Sequence, residues 1–243
     1  MPYKSSATRS LNDKKRGFKI PKKSAKLANF LGILTGDGYI GCYGYNHVIE
    51  VIGNSEEDKE FLLEHVIGLF KKLFSIEPKK YFRKYENTLV IRANSKGIYH
   101  FLRDQNFPDG KKKRLVIPAW IRGSNLNMQE FVKGLFDTDG SLCLKKNHGK
   151  YEFYPVINIS LKERHILSEI KQWISEHDIT SYIGKNNEID KRTMKRYPRF
   201  YIQISGYKNT FKWIKLVGSN NSKHIKKIEK IKMGQAGFEP AMP

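Results

Sequence analysis

Apolar and polar residues alternate along the chain with two different periods, and the periods follow one another in the same order twice. In the first half, apolar residues recur either at the helical spacing or at every second position, within well-bounded stretches. These stretches predict helices at 26–37, 54–73 and 98–103 and strands at 39–45, 47–53, 81–85 and 88–93. The predicted order is α-β-β-α-β-β-α.

The second half repeats this order. It predicts helices at 128–139, 162–176 and 207–216 and strands near 142–145, 151–160, 181–183 and 199–205, followed by a basic helix at 222–232. Segment 207–214 matches segment 95–102 at an offset of 112 residues. The repeat indicates a duplicated unit, in which a basic loop at 186–198 is the main insertion of the second copy.

The first helix of each half ends in the same way. Asp139 lies 102 residues after Asp37, and each aspartate is followed by a glycine. Gly32 and Gly134 each stand five residues before the aspartate. Two such segments in register predict that two carboxylates come together in a two-fold catalytic site.

An aspartate is unfavourable at the C-terminal end of a helix unless a cation compensates it, because that end carries partial negative charge. Small residues four apart, Gly32 with Gly36 and Gly134 with Thr138, would let the two helices approach closely. Two adjacent carboxylates repel, and a hard divalent cation relieves the repulsion. Such a cation is typical of phosphodiester cleavage.

The alternative is that each Asp-Gly pair is a helix-ending turn with no catalytic role. In either case the following glycines, Gly38 and Gly140, suit the left-handed position that caps the end of a helix. Because Thr35 and Asp137 differ at matching positions, we expect only the second acid of each motif to be catalytic.

Charge points to a polyanionic partner. The chain has 45 Lys and Arg against 24 Asp and Glu, a net charge of +21. Nucleic acid is favoured over an anionic membrane, because no basic amphipathic helix with lipid anchors is visible and no apolar run reaches the roughly 20 residues that span a bilayer. Two cysteines are too few for a disulfide framework or a zinc cage.

The two ends of the chain look different from the rest. Residues 1–23 form a basic arm that would contact DNA or, alternatively, act as an organellar transit peptide. Residues 233–243 are expected to be a disordered tail. Its Gly237-Phe238-Glu239-Pro240 sequence resembles a translated transfer-RNA T-arm, which suggests an intron reading into a tRNA exon, although an ordinary tail explains it as well.

The two helix-ending segments, 30–38 and 132–140, resemble the paired motifs of the LAGLIDADG homing endonucleases in their single-chain form. Segments 114–121 and 218–227 add support, and the resemblance covers roughly residues 24–232. It implies an α+β fold of two pseudo-symmetric halves, 24–122 and 123–232. Each half would carry an antiparallel four-stranded, saddle-shaped sheet, and the two motif helices would pack together.

The resemblance also implies the chemistry. Asp37 and Asp139 would hold Mg²⁺ or Mn²⁺, beside Gly36 and Thr138, and both DNA strands would be cut with short 3′ overhangs. A basic residue per half is expected near the scissile phosphates. Lys111 matches Lys223 at the offset of 112, and Lys113 lies in the same cluster; a solvated lysine run is the alternative.

Double-stranded DNA is the expected partner, read by outward-facing strand residues because a β-ribbon fits the major groove. The candidates are Tyr43, Tyr45, Asn46, Arg83, Lys84, Arg92, Lys145, Asn147, Lys191, Arg192, Lys195, Arg196 and Gln203. Each could equally be a phosphate contact. We expect a monomer that is not secreted, cytoplasmic in a prokaryote and organellar in a eukaryote.

Three other functions compete with DNA cleavage. An RNA maturase on the same scaffold would bind intron RNA, with or without cleaving DNA. A DNA-binding regulator would have no reason to keep both acids. An intein is not expected, because the chain begins with Met1 and ends with Pro243, without splicing residues.

Overall fold

The computed structural model describes residues 10–83, 86–146, 153–189, 194 and 196–236, the last four by their backbone alone. The chain divides into two units, Met1–Thr138 and Asp139–Pro243. We predicted a boundary at 122/123, before the second motif helix. In the structure, that helix except for its last residue belongs to the first unit, where it packs closely against the first motif helix.

The first unit combines helices with one antiparallel sheet. Its elements are α1 (Leu11–Lys15), α2 (Ala25–Asp37), β1 (Gly38–Tyr43), β2 (Asn46–Asn54), a π-helical segment (Phe61–Val66) that leads into α3 (Ile67–Phe74), β3 (Lys79–Phe82), β4 (Thr88–Asn94), α4 (Lys96–Asp104), α5 (Ala119–Arg122) and α6 (Asn125–Asp139). The strand order is β1-β2-β4-β3. The final residue of α6 already belongs to the second unit.

The strand register separates an apolar face from an outward face in this sheet. Ile40 pairs with Ile49, and Val51 pairs with Ile91; all four side chains are fully buried. Directly opposite residues in antiparallel strands point to the same side, so these four belong to the core. The other set includes Tyr39, Glu50 and Arg92, which we call the outward face of the first sheet.

The two motif helices pack against each other at their glycines, as predicted. A Cβ atom added at Gly32 would collide with the carbonyl oxygen of Phe131, and one added at Gly134 would collide with that of Asn29. The Asn29 side chain also donates from Nδ2 to the carbonyl of Glu130 at 3.1 Å. Glycine is therefore required at both positions because backbone meets backbone there.

Part of the predicted basic arm is folded. Ser10 and Asp13 form a capping box at the start of α1, and Asp13 is fully buried. Its Oδ2 accepts a hydrogen bond from the Gly97 amide, at the start of α4, at 3.0 Å. Burial alone would raise the pKa of Asp13, but hydrogen bonds from Ser95, Ser10 and Gly97 outweigh burial and lower it. The buried acid therefore fastens this segment to the first unit.

The second unit repeats the sheet. It contains β5 (Gly140–Lys146), β6 (Phe153–Leu161), α7 (Arg164–Ser175), β7 (Tyr182–Ile189), β8 (Arg196–Ser205), α8 (Tyr207–Leu216) and α9 (Ser222–Ala236), with strand order β5-β6-β8-β7. Ile166, Leu167, Ile170, Trp173 and Ile174 form the buried side of α7, as predicted. The α-β-β-α-β-β-α order is thus confirmed in both halves of the chain.

Three details of the second half differ from the prediction. The insertion at 186–198 is not simply a loop, because β7 continues to Ile189 and β8 starts at Arg196, pairing directly with it. Helix α9 continues to Ala236, into the predicted tail, whose residues 237–243 lie outside the described ranges. Within those ranges, no helix is long and apolar enough to cross a membrane.

Candidate functional site

Asp37 is the last residue of α2 and is half-buried. The helix begins at Ser24, whose side chain accepts from the Leu27 amide, and its interior is almost entirely buried. The predicted left-handed cap is wrong: Gly38 has φ −84°, and Gly140 also lacks a positive φ. Gly38 is instead required by packing, since a Cβ there would collide with the backbone of Leu34.

A lysine compensates the negative end of α2. The Lys112 ammonium donates to the Thr35 carbonyl oxygen at 3.0 Å and also to the Gly36 carbonyl oxygen. A cation at this position offsets the partial negative charge of the helix end. Lys112 belongs to the basic cluster predicted from the sequence, but we had selected its neighbours Lys111 and Lys113, both of which are exposed.

An arginine holds the acid at the end of α6. Asp139 is 19% exposed, and its Oδ1 accepts from Nη2 of Arg199 in β8 at 3.2 Å. The same Nη2 donates to the Ser160 carbonyl at 3.2 Å, and Nη1 lies 3.3 Å from Oε2 of Glu188. Sequence reasoning missed Arg199: its only signal was a basic residue at the start of a predicted strand.

The threonines near the two acids form hydrogen bonds with backbone carbonyls of their own helices. The Thr138 hydroxyl donates to the carbonyls of Gly134 at 3.2 Å and Leu135 at 3.0 Å. Thr35 donates in the same way to Leu31 at 2.8 Å. Asp137 is fully buried. Thr138 therefore offers its backbone carbonyl rather than its hydroxyl to an incoming ligand.

Lys223, the predicted basic residue of the second half, lies in the first turn of α9 and is half-buried. Its amide donates to Oδ1 of Asn221 at 3.1 Å, so the asparagine caps the helix. Asn221 is fully buried, which fixes where this helix begins. The cap thereby fixes the point from which the Lys223 side chain emerges.

The donors at the two helix ends suit a hard divalent cation. They are carboxylates and backbone carbonyls, and each end already attracts a cation of the protein, Lys112 or Arg199. Among the described residues, no group of three or more His, Cys, Asp or Glu side chains is placed so that it could hold a metal ion. Mg²⁺ fits such a sparse site, because it commonly keeps several waters and uses one or two carboxylates plus substrate phosphates.

Most of the described base-reading candidates lie on or beside the outward faces. Tyr43, Asn46 and Arg92 share the register of the outward face of the first sheet, Arg83 follows β3, and Tyr45 is fully exposed in the β1–β2 turn. Lys145 and Gln203 lie on the corresponding face of the second sheet, whereas Arg196 shares the register of the core residues Ile202 and Ile204. Lys84, Asn147, Lys191, Arg192 and Lys195 lie outside the described residues.

Tyrosines on the first outward face are held by hydrogen bonds. A hydrogen bond to Tyr43, together with burial, raises the pKa of Tyr39 to about 12. Burial and the hydrogen bond to Glu50 raise the pKa of Tyr81. Both phenols therefore stay neutral at physiological pH and act as hydrogen-bonding groups on this face.

Comparison with known proteins agrees with this architecture. A family model of the LAGLIDADG-like domain matches residues 127–218. This part of the chain is therefore similar to a LAGLIDADG-like domain. Solved structures match the fold over most of the chain. I-DmoI in complex with DNA and Ca has a TM-score of 0.57 at 17% identity, covering 85% of this chain and 97% of I-DmoI.

A second solved structure gives the same fold. The LAGLIDADG homing endonuclease I-GzeII in complex with its DNA target has a TM-score of 0.50 at 11% identity, covering 90% of this chain and 94% of I-GzeII. The fold of this chain is therefore that of the single-chain LAGLIDADG homing endonucleases, as predicted.

Curated sequence relatives are longer proteins. The uncharacterized protein MJ0314 of Methanocaldococcus jannaschii is 29% identical over 68% of this chain and 59% of its own length. The replication factor C small subunit of the same organism is 27% identical over 81% of this chain but 12% of its own length. The tRNA-splicing ligase RtcB of Pyrococcus abyssi is 30% identical over 48% of this chain and 14% of its own length. This chain thus spans only a minor part of the last two relatives.

Proposed function

We propose that this protein is a site-specific homing endonuclease that makes a metal-dependent double-strand break in a long DNA target and leaves short 3′ overhangs. The observation that carries the proposal is the matched geometry of the two motif helices. They meet at Gly32 and Gly134, and each ends five residues later in an aspartate. Asp37 and Asp139 would act together on the two DNA strands.

Mg²⁺ or Mn²⁺ bound at these helix ends would stabilise the attacking and leaving oxygens of the phosphodiester and supply an activated water. Asp37 and Asp139 would hold it through their carboxylates, with the Gly36 and Thr138 carbonyls nearby. The protein's own part is to fix these oxygens at helix ends that disfavour negative charge, so that a cation is preferred there.

The basic residues would serve the phosphates of the DNA. Lys112 sits at the end of α2, where its ammonium can exchange backbone carbonyls for a phosphate oxygen. Lys223 would play the matching role in the second half. A net charge of +21 supports tight, salt-sensitive DNA binding in addition to these local contacts.

Structural relatives support the DNA partner and the metal. I-DmoI has been crystallised in complex with DNA and Ca, and in complex with DNA and Mn. These complexes belong to a protein of 16–17% identity, so they support the proposal by fold. We further propose that the enzyme acts as a monomer, since one chain carries both motifs.

Short matched stretches in differently named relatives support a mobile origin. The same kind of segment covers 12% of a replication factor, 20% of a tRNA-splicing ligase and 16% of a probable translation initiation factor, all from Methanocaldococcus jannaschii. A module that recurs inside differently named proteins is typical of a mobile element. For this chain we propose an intron as the location of the gene, because Gly237-Phe238-Glu239-Pro240 resembles a translated transfer-RNA T-arm.

The test is cleavage of the host gene in its uninterrupted form. Purified protein is incubated with that DNA and Mg²⁺, and new ends are mapped on both strands. We expect paired ends with short 3′ overhangs at one position, absent in EDTA, in Asp37→Asn and in Asp139→Asn. Asp178→Asn, which alters an acid whose side chain is 91% exposed, is the matched control and should cut normally.

Two results would contradict the proposal. One is the absence of new ends with either Mg²⁺ or Mn²⁺. The other is splicing of the intron RNA that the wild-type protein and both Asn variants support equally, without DNA cleavage, which would indicate an RNA maturase.

A further inference from the structure

A buried acid lies at the centre of the outward face of the first sheet. Glu50 in β2 is 5% exposed, although it stands on the face opposite the core. Its Oε1 accepts a hydrogen bond from the Tyr81 hydroxyl at 2.9 Å. The same oxygen accepts from Nε of Arg92, which pairs with Glu50 directly across β2 and β4. Glu50 is thus covered by the two side chains that it binds.

Arg92 is held in one orientation by this acid and by an aromatic ring. Its Nη2 forms an ion pair with Glu50, and its guanidinium carbon lies 5.0 Å from the centroid of the Tyr81 ring. The arginine side chain remains 40% exposed. Because Nε and one Nη2 hydrogen are engaged, the outer edge formed by Nη1 and Nη2 is left to bind another group.

We propose that Arg92 reads a guanine in the half-site bound by the first sheet, and that Glu50 and Tyr81 are the positioning residues that make it selective. This inference rests on the proposed function. Guanine presents two acceptors, O6 and N7, to the major groove, and a guanidinium edge matches both at once. A guanidinium that is already held in place before DNA binds favours this paired contact with guanine. A mobile arginine side chain can also turn to bind phosphate oxygens.

The second sheet has a different pair at the equivalent positions. Val51 pairs with Gly38 and Ile91, and Ile159 pairs with Gly140 and Ile202, so the two registers correspond. Glu50 therefore corresponds to Asn158, and Arg92 corresponds to Gln203. The acid and arginine of the first sheet are replaced by two amides.

Gln203 is held by neutral partners. The Tyr182 hydroxyl donates to its Oε1 at 3.1 Å, and its Nε2 donates to Ser205 at 2.9 Å. An amide has one donor and one acceptor group, which matches adenine rather than guanine in the major groove. At this pair of equivalent positions, the selective guanine contact is therefore present in the first sheet and replaced in the second. A pseudo-symmetric protein that carries it on one side would bind its target in one orientation.

Selection from a randomised duplex library tests this inference, with the bound sequences counted by sequencing. The wild-type protein should select guanine at one position that Arg92→Lys no longer selects. Lysine keeps the charge and loses the planar fork, so the preference there should fall about tenfold or more while preferences elsewhere persist. Arg164→Lys is the matched control: Arg164 is exposed at the start of α7, outside both sheets, and the change should leave every preference unchanged.

Glu50→Gln tests whether Glu50 orients the Arg92 side chain or only contributes a negative charge. The glutamine still accepts the Tyr81 hydrogen bond but no longer anchors the guanidinium as an ion pair. We expect the guanine preference to fall at the same position as in Arg92→Lys, while overall affinity stays equal or rises because one negative charge is gone. Tyr81→Phe removes the hydroxyl and should weaken the preference less.

The outcomes distinguish this inference from the proposed function. If the wild-type protein selects a specific sequence and Arg92→Lys selects the same one, guanine included, then the inference is overturned and the proposed function stands. If the wild-type protein selects no sequence, both are overturned. A loss of guanine preference in Glu50→Gln only together with a matching loss of overall affinity would overturn the positioning role.

Discussion

Nη2 of Arg199 lies 3.2 Å from Oδ1 of Asp139, so the acid that ends α6 is paired with a cation supplied by the second sheet. The acid that ends α2 has a different neighbour, because Lys112 binds the Thr35 and Gly36 carbonyls at that helix end. The two catalytic candidates are therefore alike in helix position and unlike in the protein cation beside them.

The Arg199 contact predicts competition with a metal ion. In Arg199→Gln, the Asp139 carboxylate loses its guanidinium, so Mn²⁺ binding should tighten by a few-fold, in keeping with a partly exposed ion pair of up to about 1 kcal/mol. Mn²⁺ titration followed by electron paramagnetic resonance, in the presence of DNA, measures this. Arg164→Gln, at the exposed start of α7, is the control, and weaker Mn²⁺ binding in Arg199→Gln would refute the competition.

The crossing of the motif helices predicts opposite effects of two Gly→Ala changes. In Gly32→Ala the new Cβ meets the Phe131 carbonyl, so the free energy of unfolding should fall by about 1–3 kcal/mol or more. Gly68 in α3 has open space around it, so Gly68→Ala should raise that free energy by up to about 1 kcal/mol. Urea unfolding measures both, and equal effects of the same sign would contradict the helix crossing.

Buried His65 predicts a loss of stability on acidification. Its Nε2 bonds Oδ1 of Asn29 at 2.9 Å, and burial, followed by the charges of Lys72 and Lys133, lowers its pKa from 6.5 to about 4. Between these two pH values the unfolded chain binds a proton that the folded chain does not. The stabilisation is therefore complete above about pH 6.5 and is lost as the pH falls towards 4, by at most about 1.4 kcal/mol per pH unit.

Denaturant unfolding between pH 7 and 4.5 tests this linkage. His65→Gln keeps a donor for Asn29 and removes the titration, so its stability should decline less steeply than that of the wild-type protein. His165→Gln alters a histidine on the surface of α7 and should follow the wild-type curve. Parallel curves for the wild-type protein and His65→Gln would exclude the proposed role of His65.

The repeated order of helices and strands could be read from the sequence because hydrophobic periodicity is a local property. Helix α1 was missed for the opposite reason. Its sequence is short and polar, and a contact between residues 84 apart, Asp13 and Gly97, fastens it to the unit. Local patterns do not contain such a contact.

The sequence predicted the two acids of the candidate site but not the basic residues that contact the two helix ends. The position of each acid followed from the repeat, but Lys112 could not be separated from Lys111 and Lys113 without knowing which way each side chain points. Arg199 reaches Asp139 through the pairing of strands 60 residues further along the chain. Gly38 was expected for its backbone freedom and is needed for its small size beside Leu34.

We propose that Asp37 and Asp139 are needed to cut DNA but not to bind it. The most direct measurement compares binding and cleavage of one target duplex by the wild-type protein and by Asp37→Asn and Asp139→Asn, in Mg²⁺. We expect each variant to bind at least as tightly as the wild-type protein, and to cleave at least about a thousandfold more slowly. Cleavage by either variant within about tenfold of the wild-type rate would contradict a catalytic role for that aspartate.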